Sequence, residues 1–162
     1  GLGDVYKRQG YEVVMTRDKD VDLASGDGNF KQSDMSARKK IIEDAAPDLV
    51  VSVHQNYYPL RSVRGAQVFY AEGSEVSSDY ANRMQNVLNA SLGCDRVAKG
   101  ADYYILECSE HPSVLVECGF MSNAEEESKL VTPEYQRKIA YAIYSGITGV
   151  LALGPAFVGI DG

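Results

Sequence analysis

Asp48-Leu49-Val50-Val51-Ser52-Val53-His54 and Ser113-Val114-Leu115-Val116-Glu117-Cys118 are the two stretches whose reading decides the fold. Each is a short, nearly continuous apolar run rich in β-branched residues. Such a run suits a strand covered on both faces, where neither side meets water and polar alternation is lost. The first run closes on a histidine and the second carries a glutamate near its end, so both polar groups belong at a rim of the sheet. Tyr11-Glu12-Val13-Val14-Met15-Thr16-Arg17, Gly65-Ala66-Gln67-Val68-Phe69-Tyr70 and Tyr103-Tyr104-Ile105-Leu106 read as further strands.

Between the strands the apolar residues recur with a helical period. Ser33 is placed to cap a helix carrying Met35, Arg38, Ile41, Ile42 and Ala45, which Pro47 stops. Tyr80, Met84, Val87, Leu88 and Leu92 form a stripe over roughly Ser77 to Leu92, with Gly93 as its stop. Ser122 and Glu125 have capping-box spacing before a short acidic helix. Thr132 and Pro133 open a last helix with the stripe Ile139, Ile143, Ile147, Val150 and Leu151, which Pro155 ends. This alternation predicts an α/β fold, a three-layer sandwich in which a mostly parallel central sheet is flanked by helices.

Composition narrows the function classes. The 162 residues carry 16 basic and 23 acidic side chains, a net charge of −7, and no basic stripe of the kind that follows a nucleic-acid backbone. No apolar run approaches the ~18 residues of a membrane-spanning helix. Cys94, Cys108 and Cys118 are odd in number and widely spaced, which excludes a disulfide scaffold and a cysteine-based zinc knuckle. Residues 1–9 follow neither a helical nor a strand period, and we read them as a non-native scar or a disordered arm. One domain is expected over residues 10–153, followed by a loose tail at 154–162.

In open sheets of this class, ligands bind beyond the carboxyl ends of the strands. His54 and Glu117 both fall there. A glutamate ending an apolar strand loses solvation unless a cation or hydrogen-bond donors offset the loss. A histidine on the same edge can ligate that cation, so the pair suggests a metal site with a carboxylate base, as in zinc hydrolases. Each residue also has a plainer reading. His54 alone suits a satisfied buried histidine, and Glu117 alone suits an ion pair with Arg17, Arg38 or Arg64. His111, the second of two histidines, precedes Pro112 in a loop and is a poor candidate ligand. Cys118 should point away from Glu117, into the core, because side chains alternate along a strand. The Glu125-Glu126-Glu127 run reads as a charged first turn complementing the helix dipole. The Gln55-Asn56-Tyr57-Tyr58 loop after His54 is either a substrate-contacting segment or an ordinary surface loop.

Several ordered blocks carry a resemblance. They are Thr16-Arg17-Asp18, Asp34-Met35-Ser36-Ala37-Arg38, Ser52-Val53-His54-Gln55-Asn56, Arg64-Gly65-Ala66-Gln67-Val68-Phe69-Tyr70, Val114 to Asn123, and Tyr135-Gln136-Arg137-Lys138-Ile139-Ala140. In order and spacing, from Gly10 to about Leu151, the chain resembles the zinc-dependent N-acetylmuramoyl-L-alanine amidases, most closely the branch acting in spore cortex formation and germination. The resemblance implies cleavage of the amide between the lactyl group of N-acetylmuramic acid and the L-alanine of the peptidoglycan stem peptide. It implies one zinc ion held by a histidine, a glutamate and a second histidine. His54 matches that second histidine and Glu117 the catalytic glutamate that passes a proton from water to the leaving amine. Arg38 stands where the family carries an arginine, whose role is either orientation of Glu117 or the substrate, or a structural ion pair.

The chain departs from the family at its start. The family's first zinc histidine, in a His-Gly-Gly turn, and its glutamate ligand both precede the segment matched by Tyr11–Thr16, and neither has a match here. The expectation is a domain lacking its first strand and helix, with little or no activity as a fragment. The parent is expected to act outside the cytoplasmic membrane through an upstream export signal. A non-catalytic wall-binding relative and a zinc peptidase of different specificity are the alternative functions.

Overall fold

A computed structural model describes residues 11–19, 23–24 and 29–154. The expectations for residues 1–9 and for 155–162 lie outside the described residues. Strands β1 (Val50–Asn56), β2 (Gln67–Ala71), β3 (Lys99–Ala101) and β4 (Ser113–Phe120) make one sheet in the order β1-β4-β2-β3. β1 pairs with β4 and β2 with β3 in parallel, while β2 runs antiparallel to β4. The helices are α1 (Phe30–Ala45), α2 (Glu75–Leu92), α3 (Tyr104–Glu107), α4 (Ala124–Leu130) and α5 (Pro133–Leu153). The α/β class and its helix-flanked sheet are therefore as expected.

β4 is the central strand, and all eight of its residues are buried. Its even-numbered side chains Val114, Val116 and Cys118 join Val68 of β2 and the stripes of α2 (Tyr80, Met84, Leu88) and α5 (Ile139, Ile143, Val150) in the main core. Cys118 thus points where alternation placed it. Gly146 lets α5 press close to α2, because a Cβ there would sit 3.1 Å from Met84 Cγ. Across the core, the buried Gln85 of α2 accepts from Val68 N (2.8 Å) and donates to Ala66 O (3.1 Å). That pairing meets the rule that buried polar groups find partners. The other face of the sheet presents Leu115 and Glu117, and α3 packs on β4 and β2.

Five local readings need correction. Residues 11–17 form no strand: a β-branched run needs a ladder neighbour, and none pairs with it among the described residues. Residues 104–107 form a single helical turn, closed by Leu106 N donating to Tyr103 O (2.8 Å), and the strand lies upstream at Lys99–Ala101. A four-residue apolar run fits either state, and tertiary pairing decides. β1 is an edge strand among the described residues, with Val53 50% exposed, rather than one covered on both faces. Asn29, not Ser33, caps α1, accepting from Gln32 N (3.3 Å). Asn123 rather than Ser122 caps α4, accepting from Glu125 N (3.1 Å) and Glu126 N (3.2 Å).

The long helices follow their signals. Ser74 caps α2, and Gly93 closes it at φ +70° with its N–H on Asn89 O. Thr132 caps α5 with Pro133 in its first turn. Gly154, expected to begin the loose tail, accepts a hydrogen bond from Arg83 Nη1 (2.9 Å).

Candidate active site

The site is assembled by the β1–β4 ladder. His54 and Glu117 are register partners in this parallel pair. Partners in register point to the same side of a sheet, on strands about 4.8 Å apart. The imidazole and the carboxylate therefore stand side by side at the carboxyl ends of both strands, on the face away from the main core. The chain leaves the site at once: the register shifts after His54, and Met121 N donates to Asn56 O (2.8 Å). Tyr58 N donates to Ser122 Oγ (3.1 Å), which ties the exposed Tyr57–Tyr58 loop to the turn after β4.

Glu117 is 8% exposed, and its Oε2 has no hydrogen-bond partner. Burial alone pushes its carboxyl up from an ordinary value of 4.5 to about 7. The arginine partnership weighed for it is absent among the described residues. Arg38 Nε donates instead to Asp34 Oδ2 (2.6 Å) and Nη1 to Thr16 Oγ1 (3.3 Å), and Arg64 reaches Glu125 at 3.4 Å. Arg38 thus pairs with Asp34, and its charge also acts on His54. Asp34 also accepts from Leu23 N (3.1 Å), so one pair ties α1 to two segments of the preceding loop.

His54 has Ser52 Oγ at 3.0 Å from Nε2, a contact that orients the ring. The ring is exposed on this edge strand, which corrects the reading of a buried histidine; partial desolvation and then the nearby Arg38 charge lower its pKa from the ordinary 6.5. At neutral pH the ring is therefore uncharged, the form that ligates a metal. His111 lies at the opposite end of β4, beyond Ser113, whose hydroxyl donates to His111 O (2.8 Å). It takes no part in the site.

The structure adds residues that the sequence did not single out. Gln67 of β2 flanks Glu117 on the side away from His54, as its register partner in the antiparallel pair. Its amide is already engaged: Nε2 donates to Val97 O (2.8 Å), and Oε1 accepts from Arg96 Nη2. The Arg96 guanidinium lies 5.5 Å from the centre of the Phe120 ring. Glu126 stands in the acidic first turn of α4, as read from the sequence. It is buried and accepts from Gly65 N and Phe120 N, both at 2.8 Å, fastening the entry to β2 against the exit of β4. Gly119 leaves room for it, since a Cβ there would lie 3.3 Å from Glu126 Oε2. Spacing from the Asn123 cap is the one sequence cue to Glu126, and that cue does not distinguish a buried carboxylate from an exposed one.

Among the described residues no group of three or more His, Cys, Asp or Glu side chains is arranged to hold a metal ion. His54 is one donor of suitable kind, and Glu117 Oε2 is unpartnered rather than part of an ion pair.

Comparison with known proteins fits this layout. The sequence profile of the N-acetylmuramoyl-L-alanine amidase family matches residues 2–149. The chain belongs to that family. It is 35% identical over 150 residues to the germination-specific N-acetylmuramoyl-L-alanine amidase of Bacillus subtilis (strain 168), covering 89% of this chain and 63% of that protein. It is 37% identical over 105 residues to the N-acetylmuramoyl-L-alanine amidase LytC of the same organism, covering 63% of this chain and 21% of LytC. The chain thus spans less than two thirds of the length of these relatives. Among solved structures it superposes with a TM-score of 0.89 on the CwlD amidase from Clostridioides difficile, determined in complex with the GerS lipoprotein. That match has 32% identity and covers 94% of this chain and 82% of the other. The catalytic domain of CwlV, an amidase from Bacillus (Paenibacillus) polymyxa var. colistinus, superposes at 0.80 with 27% identity, covering 94% and 80%.

Proposed function

We propose that this chain forms the catalytic part of a peptidoglycan hydrolase. Its substrate is the amide joining N-acetylmuramic acid to the L-alanine of the stem peptide, in remodelling of the spore cortex or cell wall. The observation that carries this reading is the register pairing of His54 with Glu117 at one rim, on a chain of this family. The germination-specific relative favours the cortex as the setting. Peptidoglycan lies outside the cytoplasmic membrane, so the place of action is extracytoplasmic. No helix among the described residues is long and apolar enough to cross a membrane.

The chemistry follows from the two environments. A carboxyl at about 7 is divided between its two forms near neutral pH. It can take a proton from the attacking water and return it to the amine of the leaving L-alanine. Gln67, with its amide engaged elsewhere, leaves Glu117 Oε2 without a donor, which preserves basicity. His54, held neutral, offers a lone pair to a zinc ion. Zinc, when bound, supplies Lewis-acid polarisation of the scissile carbonyl and a lowered pKa for water. The described residues fit that ion in part, because one imidazole is short of the three protein ligands of a catalytic zinc site. The resemblance implies two further protein ligands, a histidine and a glutamate, that have no match among the described residues.

Zinc analysis tests this. The 162-residue chain alone is expected to retain well under one zinc after dialysis. A protein extended upstream by the missing ligands should hold about one. His54→Ala in the extended protein should weaken zinc binding by about 100-fold or more and remove cleavage of purified peptidoglycan. Full zinc occupancy or full activity in the His54→Ala protein would overturn the assignment.

A further inference from the structure

Across β4 from His54, on the same face of the sheet and one step in from the rim, Phe69 pairs with Tyr103, and the hydrolytic chemistry uses neither ring. Phe69 lies two residues along β2 from Gln67, the register partner of Glu117. It is therefore the diagonal neighbour of Glu117 on the same face, about 7–8 Å away and within reach of an aromatic side chain. Phe69 is partly buried and meets the Tyr103 ring in a T-shaped contact, with centroids 5.5 Å apart and planes at 71°. Tyr103 is the residue before the one-turn helix α3, makes no side-chain cap, and is 40% exposed. Phe69 lies against part of this side chain, and solvent reaches part of it.

We infer that Tyr103, seated on Phe69, receives the pyranose ring of N-acetylmuramic acid, so that the sugar lies on the β3 side of Glu117 and the scissile amide reaches over Glu117 towards His54. This inference rests on the amidase reading and names the part of the substrate that each side of the site holds. A pyranose has an apolar C–H face and a rim of hydroxyls. A half-exposed tyrosine offers the matching combination of apolar ring and polar tip. The stem peptide is a poor occupant of this side. It carries carboxylates, and the Tyr103 hydroxyl already sits near Glu117 and Asp102, whose charges, after burial, push its pKa upward. An uncharged sugar meets no such repulsion.

The experiment uses the zinc-loaded full protein with two substrates. One is N-acetylmuramyl-L-alanyl-D-isoglutamine, and the other is D-lactyl-L-alanyl-D-isoglutamine, which keeps the amide and lacks the sugar. Tyr103→Ala should raise KM for the muramyl substrate about fivefold, as for loss of one aromatic contact, with kcat within about twofold. It should leave KM for the lactyl substrate unchanged. Tyr103→Phe keeps the ring and should behave as wild type on both, which separates stacking from misfolding. Saturation-transfer NMR on the muramyl ring protons gives a readout independent of cleavage: signal in wild type and Tyr103→Phe, little in Tyr103→Ala. An unchanged muramyl KM in Tyr103→Ala, or an equal rise for both substrates, overturns the inference while leaving the amidase reading intact. Sugar binding that depends on Tyr103 without any cleavage by the wild type overturns the amidase reading and leaves the sugar site standing.

Discussion

Replacing Glu117 by glutamine in the zinc-loaded full protein is expected to lower kcat for stem-peptide release by about 10²–10⁴-fold, the usual contribution of a positioned proton carrier. KM should stay within a factor of a few. The substitution keeps the shape of the side chain, and no protein group bonds to its Oε2. The amide cannot accept a proton from water at neutral pH, and that is the only change the reaction meets. Steady-state kinetics on purified peptidoglycan read the outcome. A variant retaining more than about a tenth of the wild-type kcat would place the base elsewhere.

A second large effect concerns stability and pH. The Glu117 carboxyl titrates near 4.5 in an unfolded chain and is pushed to about 7 by burial in the metal-free fold. The folded state therefore binds the proton more tightly than the unfolded state. The stability conferred by that proton is fully present below about pH 4.5 and is lost as pH rises through about 7. Between those limits Glu117 should lower the unfolding free energy by about 3 kcal/mol, taken as an order of magnitude. Glu117→Gln should remove this slope, although its buried amide adds a cost that does not vary with pH. Urea unfolding of the metal-free protein at pH 5 and pH 8 measures it. Equal pH slopes in wild type and variant would mean that Glu117 is solvated or paired.

Much of the site was legible because strand ends are legible. The runs before His54 and Glu117 are apolar, so a polar group closing either one has to stand at a rim. Alternation then put Cys118 in the core and Glu117 on the opposite face. The helices α2 and α5 were legible from their stripes and their glycine or proline punctuation. Other features depend on contacts that a linear pattern does not encode. Lys99–Ala101 has no strand signature and pairs only because β2 lies beside it. Residues 11–17 have the signature and no ladder partner among the described residues. The two apolar runs look alike, yet β4 is central and β1 is at the edge among the described residues. Glu126 and Gln67 are ordinary polar letters in the sequence. Their roles come from backbone N–H groups and carbonyls brought to them by distant segments.

The sharpest test is chemical identification of the ends made when the zinc-loaded full protein digests purified peptidoglycan. Hydrolysis at the proposed bond makes new amino termini that are all L-alanine, with no new reducing sugar ends, and Glu117→Gln makes almost none. New termini at any other residue of the stem peptide, or new reducing ends, would contradict the account.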